Sequence, residues 1–343
     1  MIEKTYSFVN NGNLIEVFTL SNNNGIKVEI CNHGGRILSI LTPDKNGVFS
    51  DITIGYKHPE DYFTKPHAYY GACIGRYCDR IEKARFSLGG TTYYLGANEN
   101  GDCNHGGNVG FDQRVMDAKI VDDTLVLKYL SPDGEEGFPG NLDFTLCYAL
   151  SEQNELILTY TATSDKDTVC NFTNHTYFNI GDHDTVHPYF IKVNASFYTP
   201  YDSRMICHGE FESVSGTKLD LRNGVNIGEV IGSDEKLIRE QNGLDLTFVI
   251  DKTTQNDIEY CATLYDDKSG RAVKCYSTLP GIQIYTANHH AEENPTEPYK
   301  DHCGLCMETQ YFSNSPNCPT YPTTTLKKGE TYHSKTIYKF EVI

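Results

Sequence analysis

Residues 142–150 carry a large apolar side chain at every even position, Leu142, Phe144, Leu146, Tyr148 and Leu150, with smaller residues between them. A two-residue period fits the pleat of a β-strand, whose successive side chains point to opposite faces, and does not fit the 3.6-residue period of a helix. Leu156, Leu158 and Tyr160 resume the pattern after Ser151, Glu152, Gln153 and Asn154. Those four are turn-forming residues, so the two segments predict an antiparallel hairpin. Ile26, Val28 and Ile30 alternate in the same way, as do Leu125, Leu127 and Tyr129. Only residues 234–241 suit a helix, and that stretch is short and weakly capped.

The chain is therefore expected to be all-β with few short helices. Its 343 residues give a prior of two domains, at about 150 residues each, but a large all-β fold takes such a length as one. No Pro/Ser-rich linker, charge block or internal period divides the sequence, so one domain spanning 1–343 is expected. Many antiparallel strands must pack face to face or close on themselves, and a large antiparallel β-sandwich with a concave sheet face is the expected architecture.

Charge narrows the partners. With 29 Lys plus Arg against 46 Asp plus Glu, the formal charge is −17, which disfavours nucleic acid and anionic membrane surfaces. The 24 tyrosines and 16 phenylalanines exclude disorder, and no apolar run approaches a spanning helix. The N-terminus lacks the pattern of a secretory signal, so a cytoplasmic location is expected and the three Asn-x-Ser/Thr sequons carry no consequence. The 12 cysteines lack framework spacing and are expected to be reduced and mostly buried.

Four segments combine polar groups with apolar neighbours. Gly75–Ile81 holds Arg76 and Arg80, whose guanidinium forks suit hydroxyl or carboxylate oxygens, although surface arginines are common. In Asn104–Gly107, two glycines after His105 permit a tight turn and close approach of a ligand, or simply an ordinary loop. In Asn171–Asn179, a strand would set His175, Tyr177 and Asn179 on one face, as a site or as a buried polar network. In Gly304–Phe312, Glu308 and Gln310 share a face opposite Leu305, Met307 and Thr309, which puts a carboxylate among apolar residues. Asp245, flanked by Leu244 and Leu246, suits a loop aspartate accepting backbone N–H groups. Gln283 and Tyr285 form a polar pair opposite Ile282 and Ile284.

Cys303 and Cys306 have C-x-x-C spacing near His289, His290 and His302, but residues three apart on a strand point to opposite faces and no second pair follows. No metal is expected. Neither a phosphate-binding Walker loop nor a G-x-G-x-x-G turn occurs, so no nucleotide cofactor is expected either.

Taken in order, Gly75–Ile81, His105–Gly107, Asn174–Asn179, Gly281–Thr286 and Glu308–Gln310 through Asn317 resemble the aldose 1-epimerase (galactose mutarotase) family. Gly110–Arg114, Asp133–Gly140 and Pro43–Asp44 with Gly55–Tyr56 extend the likeness over nearly the whole chain. The resemblance implies a single β-sandwich that interconverts α and β anomers of free aldohexoses such as galactose or glucose, without a cofactor. It implies Glu308 as general base and His175 as general acid. His105, Arg76 and Asp245 would bind the sugar, with Gln283 lining the same groove. The chain departs from the family pattern at Cys78 and Asp79, at Asp102 and Asn104, and at Met116 and Leu246. These departures bear on sugar preference more than on catalysis. The alternatives are a sugar-binding or sensor protein that has lost the chemistry, an epimerase of hexose 6-phosphates, and a glycoside hydrolase using Asp245 and Glu308. Oligomeric state is not legible.

Overall fold

The computed structural model describes residues 1–56, 58–181, 183–254, 256–294 and 298–343. The alternating segments are strands. Leu142–Leu150 pairs antiparallel with Glu155–Ser164, Leu146 lying opposite Tyr160. Leu142, Phe144, Leu146, Tyr148, Leu156, Leu158 and Tyr160 are all fully buried on the shared face. Removing each such side chain from water stabilises the fold by about 1.5–3 kcal/mol, which fixes the register, because a one-residue slip would expose them all.

This hairpin sits inside a nine-stranded antiparallel sheet. Its order is Asp117–Val121, Thr124–Ser131, Leu142–Leu150, Glu155–Ser164, Thr331–Val342, Arg271–Ser277, Glu259–Tyr265, Phe190–Val193 and Val225–Asn226. A seven-stranded antiparallel sheet runs Glu212–Ser213, Ala195–Tyr198, Asp245–Ile250, Gly281–Tyr285, Leu305–Gln310, Tyr177–Phe178 and Thr53–Ile54. Side chains from both sheets meet in one core cluster, among them Leu146, Leu158 and Tyr160 from the first and Phe248, Ile282, Ile284, Leu305 and Met307 from the second. Two polar contacts cross the same interface: Tyr338 Oη donates to the Met307 carbonyl at 2.8 Å, and the Thr309 and Thr336 hydroxyls lie 2.6 Å apart. A five-stranded sheet built from residues 2–51 adds Leu20, Val28, Ile30 and Ile40 to that core. This is the expected β-sandwich.

Three short α-helices occur among the described residues: Ile227–Ile231, Lys236–Glu240 and His290–Glu293. The second lies inside the stretch expected to be helical. The first escaped notice because five residues are too few to show a period, although Asn226 caps it by accepting from the Glu229 N–H at 3.1 Å. No helix is long and apolar enough to cross a membrane. All twelve cysteines are free, and Cys147 alone is not fully buried.

Candidate active site

The strand Leu305–Gln310 is buried on both faces. Leu305 and Met307 enter the core between the sheets, which turns Glu308 and Gln310 to the opposite face, toward a cavity of about 590 Å³. The neighbouring strand Gly281–Tyr285 pairs with it so that Gln283 stands opposite Glu308, and Gln283 and Tyr285 line the same cavity. Asp245 heads the next strand, Asp245–Ile250, rather than sitting in a loop, and faces the cavity across from Tyr285. Gln283 is held at both ends: its Nε2 donates to Asp245 Oδ1 at 2.5 Å and its Oε1 accepts from the Thr247 hydroxyl at 2.5 Å.

Residues 173–178 do not form one continuous strand. Thr173–Asn174 and Tyr177–Phe178 pair with different neighbours, and the chain breaks between them. Asn174 stabilises the break by accepting from the Thr176 N–H at 3.1 Å and donating to the Gly71 carbonyl at 2.8 Å. His175 and Tyr177 line the cavity, but Asn179 does not, because its amide donates to the carbonyls of His183 and Cys303. His105 reaches the cavity from a turn in which His105, Gly106 and Gly107 all have positive φ. A Cβ on Gly106 would lie 2.1 Å from the Gly75 carbonyl oxygen, so glycine is required there. The His105 Nδ1 accepts from the Asp79 N–H at 3.1 Å, which leaves its proton on Nε2.

The structure brings Glu308, His175, His105, Asp245 and Gln283 to one cavity, but not Arg76. The Arg76 side chain is buried elsewhere. Its Nε donates to Ser131 Oγ at 2.7 Å, its Nη2 to the Ser131 and Pro132 carbonyls at 2.8 Å each, and its Nη1 to the Pro139 carbonyl at 3.1 Å. Arg80, the other arginine of the motif, lines the cavity together with Asp79. Its fork grips Glu99 through Nε at 2.5 Å and Nη2 at 3.2 Å, and Nη1 meets Asp79 at 3.3 Å. Tyr69, Ser203, Arg204 and His289 complete the rim from distant loops, with no local sequence signal. The basic residues among the described lining, Arg80 and Arg204, are both committed to carboxylates, Arg204 to Glu82 and Asp102. A basic cluster for a phosphate is therefore missing among them.

Glu308 Oε1 lies 3.6 Å from His175 Nε2, and Oε2 is buried without a partner. Burial raises the Glu308 carboxyl well above the usual range, and the charges of Asp79 and Asp245 raise it further. Burial also lowers His175 to about 3, its own backbone carbonyl partly opposing and Arg36 adding to the shift. Burial thus favours the protonated carboxyl and the neutral imidazole. Asp245 is pushed up to about 7 by burial, against the pull of Arg80. Burial lowers His105 well below the usual range, followed by repulsion from His175.

Among the described residues, one trio of possible metal ligands comes together, His175, Cys306 and Glu308, with ligand atoms within 4.8 Å. The ring nitrogens face opposite partners, Nδ1 toward Cys306 Sγ at 3.5 Å and Nε2 toward Glu308. This is a row rather than a chelate. Cys303 packs among Tyr56, Tyr70 and Tyr177, and His290 Nε2 lies 2.6 Å from the Tyr70 hydroxyl.

A cavity so rich in paired amides, carboxyls and imidazoles, floored by a sheet of a large β-sandwich, is that of a carbohydrate-converting enzyme. The chain belongs to the aldose 1-epimerase family, whose sequence model matches residues 16–339. It is 34% identical over 336 residues to the galactose mutarotase of Homo sapiens, covering 96% of this chain and 95% of that protein. It is 34% identical over 347 residues to the aldose 1-epimerase of Escherichia coli K12, covering 99% of both. Among solved structures, galactose 1-epimerase from Lactobacillus acidophilus superposes with a TM-score of 0.86 at 26% identity over 99% of this chain and 98% of the other. A family homologue from C. elegans shares the fold with the same TM-score at 24% identity, covering 95% of this chain and 98% of its own.

Proposed function

We propose that the chain is a cytoplasmic mutarotase of free aldohexoses, galactose or glucose, working as one domain with Glu308 and His175 as its proton-transfer pair. The observation that carries this reading is the buried Glu308 carboxyl, with Oε2 unpartnered and Oε1 3.6 Å from His175 Nε2, in a cavity of hexose-holding polarity. Opening a pyranose requires loss of the O1 proton and protonation of the ring oxygen. Glu308 takes the first proton and His175 gives the second. The C1–O5 bond breaks, C1 rotates, and closure on the other face returns both protons by the reverse path. Neither metal nor redox group is called for, since every bond made or broken is internal to the sugar.

Both shifts bear on this assignment. After ring opening, Glu308 carries a proton and His175 has lost one, the direction in which burial moves each group. Burial therefore favours the pair in the form that stands beside the open-chain aldehyde. Arg80, His105 Nε2, Asp245 and Gln283 would hold the sugar hydroxyls, with Arg80 in the role that the motif alone gave to Arg76. The commitment of Arg80 and Arg204 to carboxylates disfavours a 6-phosphate. A binder without chemistry would need no buried acid and base facing each other.

Polarimetry of freshly dissolved α-galactose and α-glucose, with wild type and Glu308→Gln, tests the reading. Fast equilibration that falls by about 10³-fold or more in the variant is expected, since the amide cannot accept the proton. No acceleration of either sugar by wild type would sink the reading.

A further inference from the structure

Cys306 stands two residues before Glu308 on the strand Leu305–Gln310, so the two side chains leave the same face. Cys306 Sγ is 3.5 Å from His175 Nδ1, and the other nitrogen of that ring is 3.6 Å from Glu308 Oε1. The imidazole is thus spanned, thiol on one side and carboxyl on the other. Backbone pairing fixes the thiol in place, because Cys306 is registered against Tyr177, two residues beyond His175. Four rings pack against the imidazole: Tyr69 stacked at 5.7 Å, Tyr177 tilted at 4.9 Å, and His105 and Tyr285 edge-on at 5.4 and 6.2 Å. All three members of the row are buried, at 5% exposure or less.

A neutral imidazole has one N–H and one lone pair, and the partner at one nitrogen decides which nitrogen keeps the proton. A thiol is a weak donor and a weak acceptor, and it is cheaper to bury than a hydroxyl. Cys306 remains an S–H group, since burial and the Glu308 charge both oppose its ionisation. The imidazolium carries a proton on each nitrogen, and giving up the Nε2 proton leaves a neutral ring protonated at Nδ1, with Nε2 bare toward Glu308. Sulfur accepts from Nδ1–H in both states, so the contact persists as Nε2 loses and regains its proton.

We propose that Cys306 is a positioning residue for His175: its sulfur accepts from Nδ1–H in both the charged and the neutral ring, which keeps Nε2 as the nitrogen that exchanges a proton with the sugar. This rests on the reading of His175 as the acid of the pair. It adds a third member to that pair, one that never touches substrate.

The test uses the full chain with ¹⁵N-labelled histidine, as wild type, Cys306→Ser and Cys306→Ala. Long-range ¹H–¹⁵N correlation spectra report the His175 tautomer without reference to activity. Wild type and the serine variant should hold the Nδ1–H tautomer in the neutral ring, the serine hydroxyl keeping an acceptor there. The alanine variant should show a mixture of tautomers. Its kcat should fall about tenfold, the lower end of what losing an orienting partner costs a histidine, with KM changed by less than about twofold. An Nε2–H tautomer in wild type, or an alanine variant that keeps both Nδ1–H and full kcat, would overturn the proposal. Should the alanine variant fail to fold, the wild-type tautomer alone decides between the two outcomes. Should wild type fail to equilibrate sugars while holding Nδ1–H, the mutarotase reading fails and the thiol–imidazole contact stands.

Discussion

Replacing Arg76 with methionine should weaken the fold while leaving sugar binding intact, and replacing Arg80 with lysine should do the reverse. Arg76 is 2% exposed and makes four hydrogen bonds, to Ser131 Oγ and to the carbonyls of Ser131, Pro132 and Pro139. Bonds from a charged donor are worth about 1.5–3 kcal/mol each, so the face value is about 6–12 kcal/mol. Methionine keeps the aliphatic stem but strands these acceptors. Part of the loss is returned, because a buried guanidinium carries a desolvation cost, and burial indeed pulls the Arg76 pKa below its usual value. A net destabilisation of about 3–5 kcal/mol follows, since each buried acceptor left unsatisfied costs about 1–3 kcal/mol and the recovered desolvation offsets part of the sum. Arg80→Lys keeps a positive charge beside Asp79 and Glu99 but loses the planar fork. Stability should then change by about 1 kcal/mol or less, while KM rises about tenfold for the loss of one charge-assisted bond to the sugar. Urea unfolding followed by circular dichroism gives the first quantity and initial rates by polarimetry the second. An Arg76→Met protein of native stability with a raised KM would refute the division of labour between the two arginines.

Two further substitutions probe the turns around them. The Asp79 charge raises the Glu308 carboxyl, so Asp79→Asn should lower that pKa and move the acid limb of the kcat/KM profile, where Glu308 must lose its proton, to lower pH. A pH–rate series in one buffer system checks it, and an unmoved limb would mean that the two carboxyls are not coupled. Gly106→Ala puts a Cβ 2.1 Å from the Gly75 carbonyl oxygen at a φ of +91°, so a loss of about 2 kcal/mol or more and a drop in kcat from displaced His105 are expected. A thermal melt at the native midpoint would show that the turn tolerates a side chain.

Why Glu308, Gln283 and their faces were legible in the sequence, while Arg80 was not, comes down to periodicity. The strands Leu305–Gln310 and Gly281–Tyr285 alternate without interruption, so the face opposite their core residues could be assigned by counting in twos. Arg76 lies between two strands of two residues each, Cys73–Ile74 and Arg80–Ile81, where the backbone has no period. The motif announced two arginines but not which one turned inward. Asp245 was misplaced for a related reason: a strand's first residue has only one side from which to read a pattern. Tyr69, Arg204 and His289 come from loops far apart in the chain and left no trace in any local window. The departures from the family pattern can be sorted by the same geometry. Leu246 and Met116 point into the core, so neither touches the cavity. Cys78 and Asp102 are buried and stand outside the lining, whereas Asp79 and Asn104 are part of it. Asn104 donates to Glu99, which in turn grips Arg80, and Asp79 meets Arg80 from the other side. Both departures that line the cavity therefore act on the same guanidinium. On the proposed reading, proton transfer would rest on an unaltered sheet face, and sugar preference would turn on how Asp79, Glu99 and Asn104 hold Arg80.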